Sequence, residues 1–252
     1  MSIVATFDLD GAYSNENNVL YGVECEIESI TYSDVGGSWS AKPDGSLRNG
    51  GIEFISEPMP RAETVQAFAW LHKNIGIRSK EERFSPRTSI HVHVNCKNLE
   101  HTHVRHMVLL YALFEELFFL QVCPTRRDNI HCVALSETHL PSRYGQSIRD
   151  MWSGWSKYTA LNLKPLSSLG TLEFRHSDGH DDPKRLDDWL LCIENLVSVS
   201  KNLDWSPANL TQDNVQLWAD QVFGHLQMYP SIRMRLFSLV QNSLIDVKLS
   251  FN

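Results

Sequence analysis

Hydrophobic and polar residues alternate along four stretches of the chain, which is the pattern of β-strands with one buried face. The alternation predicts strands over residues 19–30, 52–58, 89–95 and 171–176. A fifth alternating stretch, residues 157–163, leads through a turn with Pro and Gly into the last of these strands. We expect the fifth stretch and the last strand to pair as an antiparallel hairpin.

Apolar residues recur at helical spacing in most of the remaining chain. This spacing predicts helices over residues 61–76, 100–122, 182–202, 211–226 and 231–244. The second of these is apolar around most of its circumference, so we expect it to lie buried under the sheet. The third has Asp182 as its expected N-cap and Pro183 at its first helical position.

The segments between and before these elements are polar. Residues 1–18 form a polar lead-in with one short apolar piece, for which we expect a frayed or edge segment. Residues 31–51 are rich in Gly, Ser, Asp and Pro and predict a loop or hairpin. Residues 204–252 form a helical end. The order indicates one α+β domain over residues 1–252, with a mostly antiparallel sheet and helices packed on one of its faces.

Composition favours a globular protein of the cytoplasm. Hydrophobic residues make up 42% and charged residues 21% of the 252 positions, as in ordinary soluble enzymes. The formal net charge of −7 argues against general nucleic-acid binding through a basic surface. Five cysteines without a C-x-x-C spacing indicate a reducing compartment. The first ten residues lack the features of a signal peptide, and no apolar run approaches the roughly 20 residues of a membrane span.

The polar faces of the four strands carry carboxylates and imidazoles. Residues two apart on a strand point to the same side, so the four faces could converge on one site. Mg²⁺ and Mn²⁺ take carboxylate oxygens, and Mn²⁺ accepts an occasional imidazole. The faces therefore predict the ligands of such ions: Glu24, Glu26, Glu53, Glu57, His91 and Glu173. The alternative for Glu24, Glu26 and Glu28 is a solvated strand face.

Arginines near these carboxylates predict phosphate binding. Arg175 follows Glu173 at strand spacing, and Arg126 and Arg127 are adjacent in the loop 125–129, where a surface basic pair is the alternative. A guanidinium binds phosphate oxygens through two donors. Carboxylates, a divalent ion and arginine together suit phosphoryl transfer from a nucleotide. The chain has neither a GxxxxGK[ST] loop nor the protein-kinase signatures, which argues against those routes to ATP.

Three histidines cluster at the start of the predicted helix 100–122. His101, His103 and His106 do not form the i, i+4 pair of a zinc-binding helix. We interpret them as a solvated helix end.

Six motifs occur in order along the chain: GVECEIE, DGSL with GIEFISEP, SIHVHVN, TRRDN, KYTALNL, and GTLEFRHSDG with DDWL. In this series the chain resembles the amidoligase family of carboxylate–amine ligases, which is related to glutamine synthetase and to glutamate–cysteine ligase. The resemblance covers about residues 21–189 and implies a glutamine-synthetase-like catalytic core. Small members of the family are common in phages and bacteria.

The resemblance implies an ATP- and Mg²⁺-dependent (or Mn²⁺-dependent) ligase. Such enzymes transfer the γ-phosphate to a substrate carboxylate, and an amine then displaces phosphate from the acyl phosphate to form an amide or isopeptide bond. The partners would be small-molecule or peptide carboxylates and amines, such as amino acids or polyamines. The chain is much shorter than glutamine synthetase, and the motifs do not identify a counterpart of that enzyme's N-terminal β-grasp domain, so the resemblance does not extend to ring assembly through it.

The resemblance also assigns roles to individual residues. Glu24 and Glu26 would bind different metal ions, and further metal ligands would be Glu53, His91 and Glu173. His93 would lie nearer the substrate, and Arg175 near the transferring phosphate. Glu57 is a further catalytic candidate, and the cofactor would also contact Arg126, Arg127 and Lys157. The general base that receives the amine proton is not identified by the motifs.

Two other classes of function use the same residues. A metal-dependent hydrolase could bind zinc or manganese through His91, His93 and nearby carboxylates, and would turn over without ATP. A non-catalytic binding protein could keep the fold. The loss of a metal-ligand residue would favour this hypothesis, but the sequence keeps all of the candidate ligands.

Overall fold

In residues 1–10, 19–32 and 34–250, which this computed structural model describes, seven strands form one sheet and two more form a separate pair. The strands are β1 (Leu20–Ile27), β2 (Ile30–Tyr32), β3 (Trp39–Pro43), β4 (Ile52–Ser56), β5 (Met59–Pro60), β6 (Gly76–Ile77), β7 (Ser89–Asn95), β8 (Leu161–Asn162) and β9 (Thr171–Asp178). The main sheet has the order β3-β4-β1-β7-β9-β8, with β5 also paired to β1, and β2 pairs with β6. All of these pairs are antiparallel.

Eight α-helices accompany these strands in the same described residues. They are α1 (Ile3–Phe7), α2 (Arg61–Asn74), α3 (His101–Phe119), α4 (Ile148–Gly154), α5 (Pro183–Asn202), α6 (Gln212–Phe223), α7 (Tyr229–Arg233) and α8 (Leu236–Leu249). Short 3₁₀ helices occupy Pro124–Arg126, Leu135–Glu137, Leu140–Arg143, Lys164–Ser167 and Pro207–Asn209. The fold is therefore α+β with an antiparallel main sheet, as the sequence predicts. None of the helices in the described part of the chain combines the length and apolar character needed to cross a membrane.

The apolar face of the sheet packs against α3 and α5. Tyr111 of α3 packs edge-on against Phe174 of β9, with 6.0 Å between ring centroids. The Tyr21 hydroxyl of β1 donates to the carbonyl of Leu190 in α5, at 3.4 Å. Each fully buried side chain of this size contributes about 1.5–3 kcal/mol relative to exposure. The buried helix expected at 100–122 is confirmed as α3, most of whose residues are buried.

The predicted cap of α5 is confirmed. The helix begins at Pro183, and the Asp182 side chain accepts hydrogen bonds from the backbone N–H groups of Lys184 and Arg185 at 2.9 and 3.4 Å. Such a cap satisfies donors that have no partner within the helix and is worth about 1 kcal/mol.

Several predicted boundaries change for physical reasons. The strand expected over 19–30 divides because Ser29 adopts a positive φ of 59°, which turns the chain between β1 and β2. The apolar piece Ile3–Phe7 is a short helix capped by Ser2, not an edge segment. The helix expected over 231–244 is replaced by α7 and α8. Residues 11–18 of the expected lead-in lie outside the described residues.

Candidate functional site

β1 places two carboxylates on the face of the sheet opposite its core. Along this strand the buried Cys25 lies between Glu24 and Glu26. Residues directly opposite each other in an antiparallel pair share a face of the sheet. Glu24 therefore lies on the same side as its partner His91 on β7, and Glu26 on the same side as its partner Glu53 on β4.

β9 adds a further carboxylate, Glu173, and an arginine, Arg175, to this face, and a β-bulge follows Phe174. His93 of β7 lies opposite Glu173, but farther along the pair two residues of β9, Arg175 and His176, face the single His91. A bulge of this kind re-aims side chains and is common next to functional sites. His176 is fully buried, whereas Arg175 forms an ion pair with Glu173. The side chains of His176 and Arg175 therefore lie on opposite sides of the sheet.

The first group of candidate metal ligands consists of Glu24, His91 and Glu173. Each of these side chains offers one ligand atom, and the three atoms lie within 4.8 Å of one another. His91 Nδ1 lies 3.2 Å from Glu24 Oε2 and 3.5 Å from Glu173 Oε1. Three of the predicted metal ligands, from three neighbouring strands, are thus adjacent in space.

Ser89 determines the tautomer of a neutral His91. Its hydroxyl oxygen lies 2.5 Å from Glu26 Oε2 and 2.8 Å from His91 Nε2. Because a carboxylate only accepts hydrogen bonds, the hydroxyl donates to Glu26 and accepts from the Nε2–H of His91. In this tautomer Nδ1 carries the lone pair that a cation bound between Glu24 and Glu173 would use. A histidine that ligates a metal is held in the same way by its other nitrogen, so this donor set fits a cation.

The second group consists of Glu26, Asp44 and Glu53, whose ligand atoms also lie within 4.8 Å of one another. Asp44 follows β3 in the turn to β4, and its Oδ1 accepts a hydrogen bond from the N–H of Ser46 at 2.8 Å. The sequence predicts a loop or hairpin over residues 31–51 but does not predict this ligand. Asp44 was not predicted as a ligand because the sequence analysis did not identify β3, whose pairing with β4 places the turn beside Glu53.

The electrostatics of Glu53 also favour a bound cation. Burial raises the pKa of the Glu53 carboxyl, Lys42 opposes this shift, and the charges of Glu24 and Glu26 add to it. Lys42 Nζ lies 2.5 Å from Glu53 Oε2 but is itself largely exposed. A divalent ion between these carboxylates would outweigh their mutual repulsion, since it would be the largest local charge.

Glu24 and His93 form a second ion pair at the edge of the site. His93 Nε2 lies 3.3 Å from Glu24 Oε1, and its Nδ1 lies 2.9 Å from the hydroxyl of Thr171. Burial alone would raise the pKa of Glu24, but its interactions with His91 and His93 hold that pKa well below its usual range. Burial lowers the pKa of His93, yet the hydrogen bond and charge of Glu24 and the charge of Glu173 raise it overall.

Three arginines line a cavity of about 690 Å³ above the carboxylates, the exposed Arg87 and the less exposed Arg126 and Arg175. Arg175 Nε donates to the carbonyl oxygen of His131 at 3.1 Å, and the same guanidinium pairs with Glu173. Arg126 is only 3% exposed and donates to the backbone carbonyls of Arg175 and His176 at 2.7 and 2.9 Å. Arg126 thus holds the bulge of β9 while lining the cavity, and Arg175 is the more available cation.

Arg127, predicted to contact a cofactor, lies elsewhere. Its guanidinium forms ion pairs with Glu116 at 2.7 Å and Glu137 at 3.1 Å and lies 4.8 Å from the ring centroid of Phe119. In the 3₁₀ turn successive side chains point in different directions, so Arg126 reaches the cavity and Arg127 faces α3.

Lys157 and Glu57 are also corrected by the structure. Lys157 precedes the short β8, is exposed, and places its ammonium 5.0 Å from the ring centroid of Tyr158. Glu57 is exposed because β4 ends at Ser56, before Pro58, and the chain leaves the polar face there. Neither side chain lines the cavity that holds the carboxylates.

Asn162 is a functional candidate that the sequence analysis missed. It lies opposite Glu173 in the β8–β9 pair, and its Nδ2 donates to Glu173 Oε2 at 2.5 Å. The bond leaves Oε1 of Glu173 directed toward His91 and Arg175. The expected pairing of residues 157–163 with the last strand could have identified Asn162, because that pairing places it opposite Glu173. A buried asparagine in so short a strand is also unusual.

A smaller cavity of about 270 Å³ adjoins the first one. Its walls include the apolar side chains of Leu20, Ile55 and Leu169, together with His93. Glu24 lines both cavities, so the two meet at this carboxylate. One cavity is rich in charged groups and the other is less polar, which is the arrangement expected for two different ligands that must meet.

The histidines at the start of α3 belong to neither group of candidate metal ligands found among the described residues. His106 is half-buried, with Nδ1 3.2 Å from the carbonyl of Ser200. Replacing His101, His103 and His106 together with Gln should leave stabilisation by Mg²⁺ unchanged and lower only the melting temperature of the metal-free protein. Thermal unfolding with and without Mg²⁺ tests this, with His91→Gln as the matched change that should lose the metal effect. If the triple variant lost its stabilisation by Mg²⁺, the metal site would have to be assigned to the start of α3 instead.

Neither the protein-family models nor the curated proteins compared with this chain give a match. The site is therefore characterised by its chemistry: two groups of hard oxygen ligands with one imidazole, three arginines, and two cavities that share a carboxylate.

Proposed function

We propose that this protein is an ATP-dependent carboxylate–amine ligase with a glutamine-synthetase-like core that uses Mg²⁺ or Mn²⁺. The observation that carries the proposal is the convergence of acidic and imidazole ligands with Arg175 around one cavity. Hard oxygen ligands suit these cations, and the planar guanidinium suits phosphate. The ligands are Glu24, Glu26, Glu53, His91 and Glu173.

The two ligand groups would hold two divalent ions, one through Glu24, His91 and Glu173 and one through Glu26, Asp44 and Glu53. When bound, such ions neutralise charge on phosphate oxygens, which is the main requirement of phosphoryl transfer. Ser89 and Asn162 keep the ligand atoms in place, since one bonds His91 and Glu26 and the other bonds Glu173. Such supporting bonds are costly to lose at metal sites.

Arg175 is the residue proposed to bind the transferring phosphoryl group. Glu173 and the carbonyl of His131 hold its guanidinium from two directions, so the cation is oriented before any ligand arrives. Donors that need no reorganisation at the moment of reaction contribute the largest catalytic effects. The two cavities support a reaction between a nucleotide and a second substrate. We assign the larger to the nucleotide and the smaller to the carboxylate or amine, which would meet at Glu24 and His93.

The hydrolase and binding-protein hypotheses are supported less well. A zinc hydrolase would need His93 as a ligand, but His93 belongs to neither group of candidate ligands found among the described residues. The remaining ligands are mostly carboxylate oxygens, which suit Mg²⁺ or Mn²⁺ better than zinc. A binding protein would not need the paired ligand groups together with an oriented arginine.

The first test of the proposal is the response of the purified protein to Mg²⁺ and ATP. A ligand that binds only the folded state stabilises it by about 2.7 kcal/mol at 100 times its Kd, so the melting temperature should rise with millimolar Mg-ATP. A screen for ADP release with mixed amino acids, polyamines and peptides, followed by mass spectrometry, should then show an amide product. Turnover of an ester or amide without ATP would support the hydrolase instead, and no response to Mg-ATP in a folded sample would contradict the ligase.

A further inference from the structure

The exposed edge of the larger cavity carries apolar side chains beside the charged Arg87 and Asp128. Ile130 is 75% exposed, and it lines the cavity together with Pro86 and His131. A single exposed isoleucine needs no explanation on an ordinary surface. This one, however, stands with a proline and an imidazole ring at the mouth of a cavity whose other walls carry carboxylates and arginines. We call Pro86, Ile130 and His131 the lip.

The lip is held in place by bonds to both sides of the cavity. Asn129 Nδ2 donates to the carbonyl of Pro86 at 3.4 Å, and Asn129 Oδ1 accepts from the N–H of His131 at 2.8 Å. The carbonyl of His131 accepts from Arg175 Nε at 3.1 Å. The His131 ring also contacts the ring of Tyr158, with 5.5 Å between their centroids. The lip therefore lies at a set position relative to the proposed phosphate-binding arginine.

We infer that the lip binds the base of the nucleoside triphosphate, so that the nucleotide lies with its phosphates at the ligand groups and its base over Ile130. The inference rests on the proposed function. A nucleotide has a highly charged end and a flat end with apolar faces, and the cavity offers both the ligand groups and the apolar side chains of the lip. Its volume of about 690 Å³ is also in the range of small-molecule sites, roughly 300–1,000 Å³.

If the lip binds the base, the base and the phosphates should contribute separately to affinity, and two probes can distinguish their contributions. Isothermal titration in the presence of Mg²⁺ would compare ATP with inorganic tripolyphosphate, which carries the phosphates without a base. The wild-type protein should bind ATP more tightly than tripolyphosphate. Ile130→Ser should weaken ATP binding about tenfold, equivalent to about 1.4 kcal/mol, and leave tripolyphosphate binding unchanged.

Met234→Ser is the matched control, because Met234 is also a highly exposed apolar residue and does not line the cavity. It should bind both probes as the wild type does. Equal binding of ATP and tripolyphosphate by the wild type, wild-type affinity of Ile130→Ser for ATP, or an equal loss for both probes would each overturn the lip as the base site. Failure of the wild type to bind either probe would instead overturn the proposed function, and the inference with it.

Discussion

Glu24→Gln is expected to remove stabilisation of the protein by Mg²⁺ and to abolish its proposed turnover. Glu24 belongs to the first ligand group and borders both cavities. Changes to partners outside the ligand shell already cost about 10- to 100-fold in metal affinity, so loss of a ligand charge should cost at least about 100-fold. At a Mg²⁺ concentration that stabilises the wild type by about 2.7 kcal/mol, the variant would keep only about 0.4 kcal/mol.

The fold should survive this change, because the partners of Glu24 can adapt. Gln keeps the length of Glu and can still hydrogen-bond to the imidazoles of His91 and His93. Glu28→Gln is the matched control on the same stretch. Glu28 is 1% exposed and points away from the site, toward Arg48. Its Oε1 accepts a hydrogen bond from the backbone N–H of Arg48 at 2.9 Å. This control should lower the melting temperature and keep the response to Mg²⁺, whereas wild-type metal affinity in Glu24→Gln would contradict the assigned ligands.

The strands at the centre of the sheet could be predicted because each has one buried and one polar face. β7 is found at its predicted bounds, since Ile90, Val92 and Val94 alternate strictly with polar residues and are buried. β9 is found where expected but continues to Asp178 through its bulge. Alternation is a local property, and here it also identified which side chains share the polar face.

Residues placed by edge strands or by long-range pairing could not be predicted in this way. β3 is exposed beyond Trp39, so it shows no hydrophobic alternation, and Asp44 was missed with it. Lys157 was placed on a strand, but the chain beside it pairs with a distant segment. Val133 donates to the carbonyl of Tyr158 and accepts from the N–H of Ala160, both at 2.8 Å. No local pattern in 157–163 reports such a partner.

Arg175→Lys is expected to keep the fold and to lose most of the proposed turnover. A lysine retains the charge, but its donors all leave one nitrogen, so it cannot span Glu173, the carbonyl of His131 and a phosphate as the planar guanidinium can. Removing one such oriented donor costs about 3–4 kcal/mol in the transition state, or roughly 10²–10³ in rate. Nucleotide binding should weaken far less if the contact strengthens mainly in the transition state, so kcat should fall more than KM rises.

Arg127→Lys provides the matched comparison, because it makes the same change in an arginine that pairs with Glu116 and Glu137 outside the cavity. Both variants would be compared by steady-state kinetics on the substrate identified by ADP release, with titration of Mg-ATP as the measure of binding. Arg127→Lys should turn over as the wild type does and lose at most a little stability, since partly exposed ion pairs contribute about 0–1 kcal/mol. If Arg175→Lys also kept wild-type turnover, its pair with Glu173 would be structural only, and the phosphoryl group would need another cation from the cavity wall.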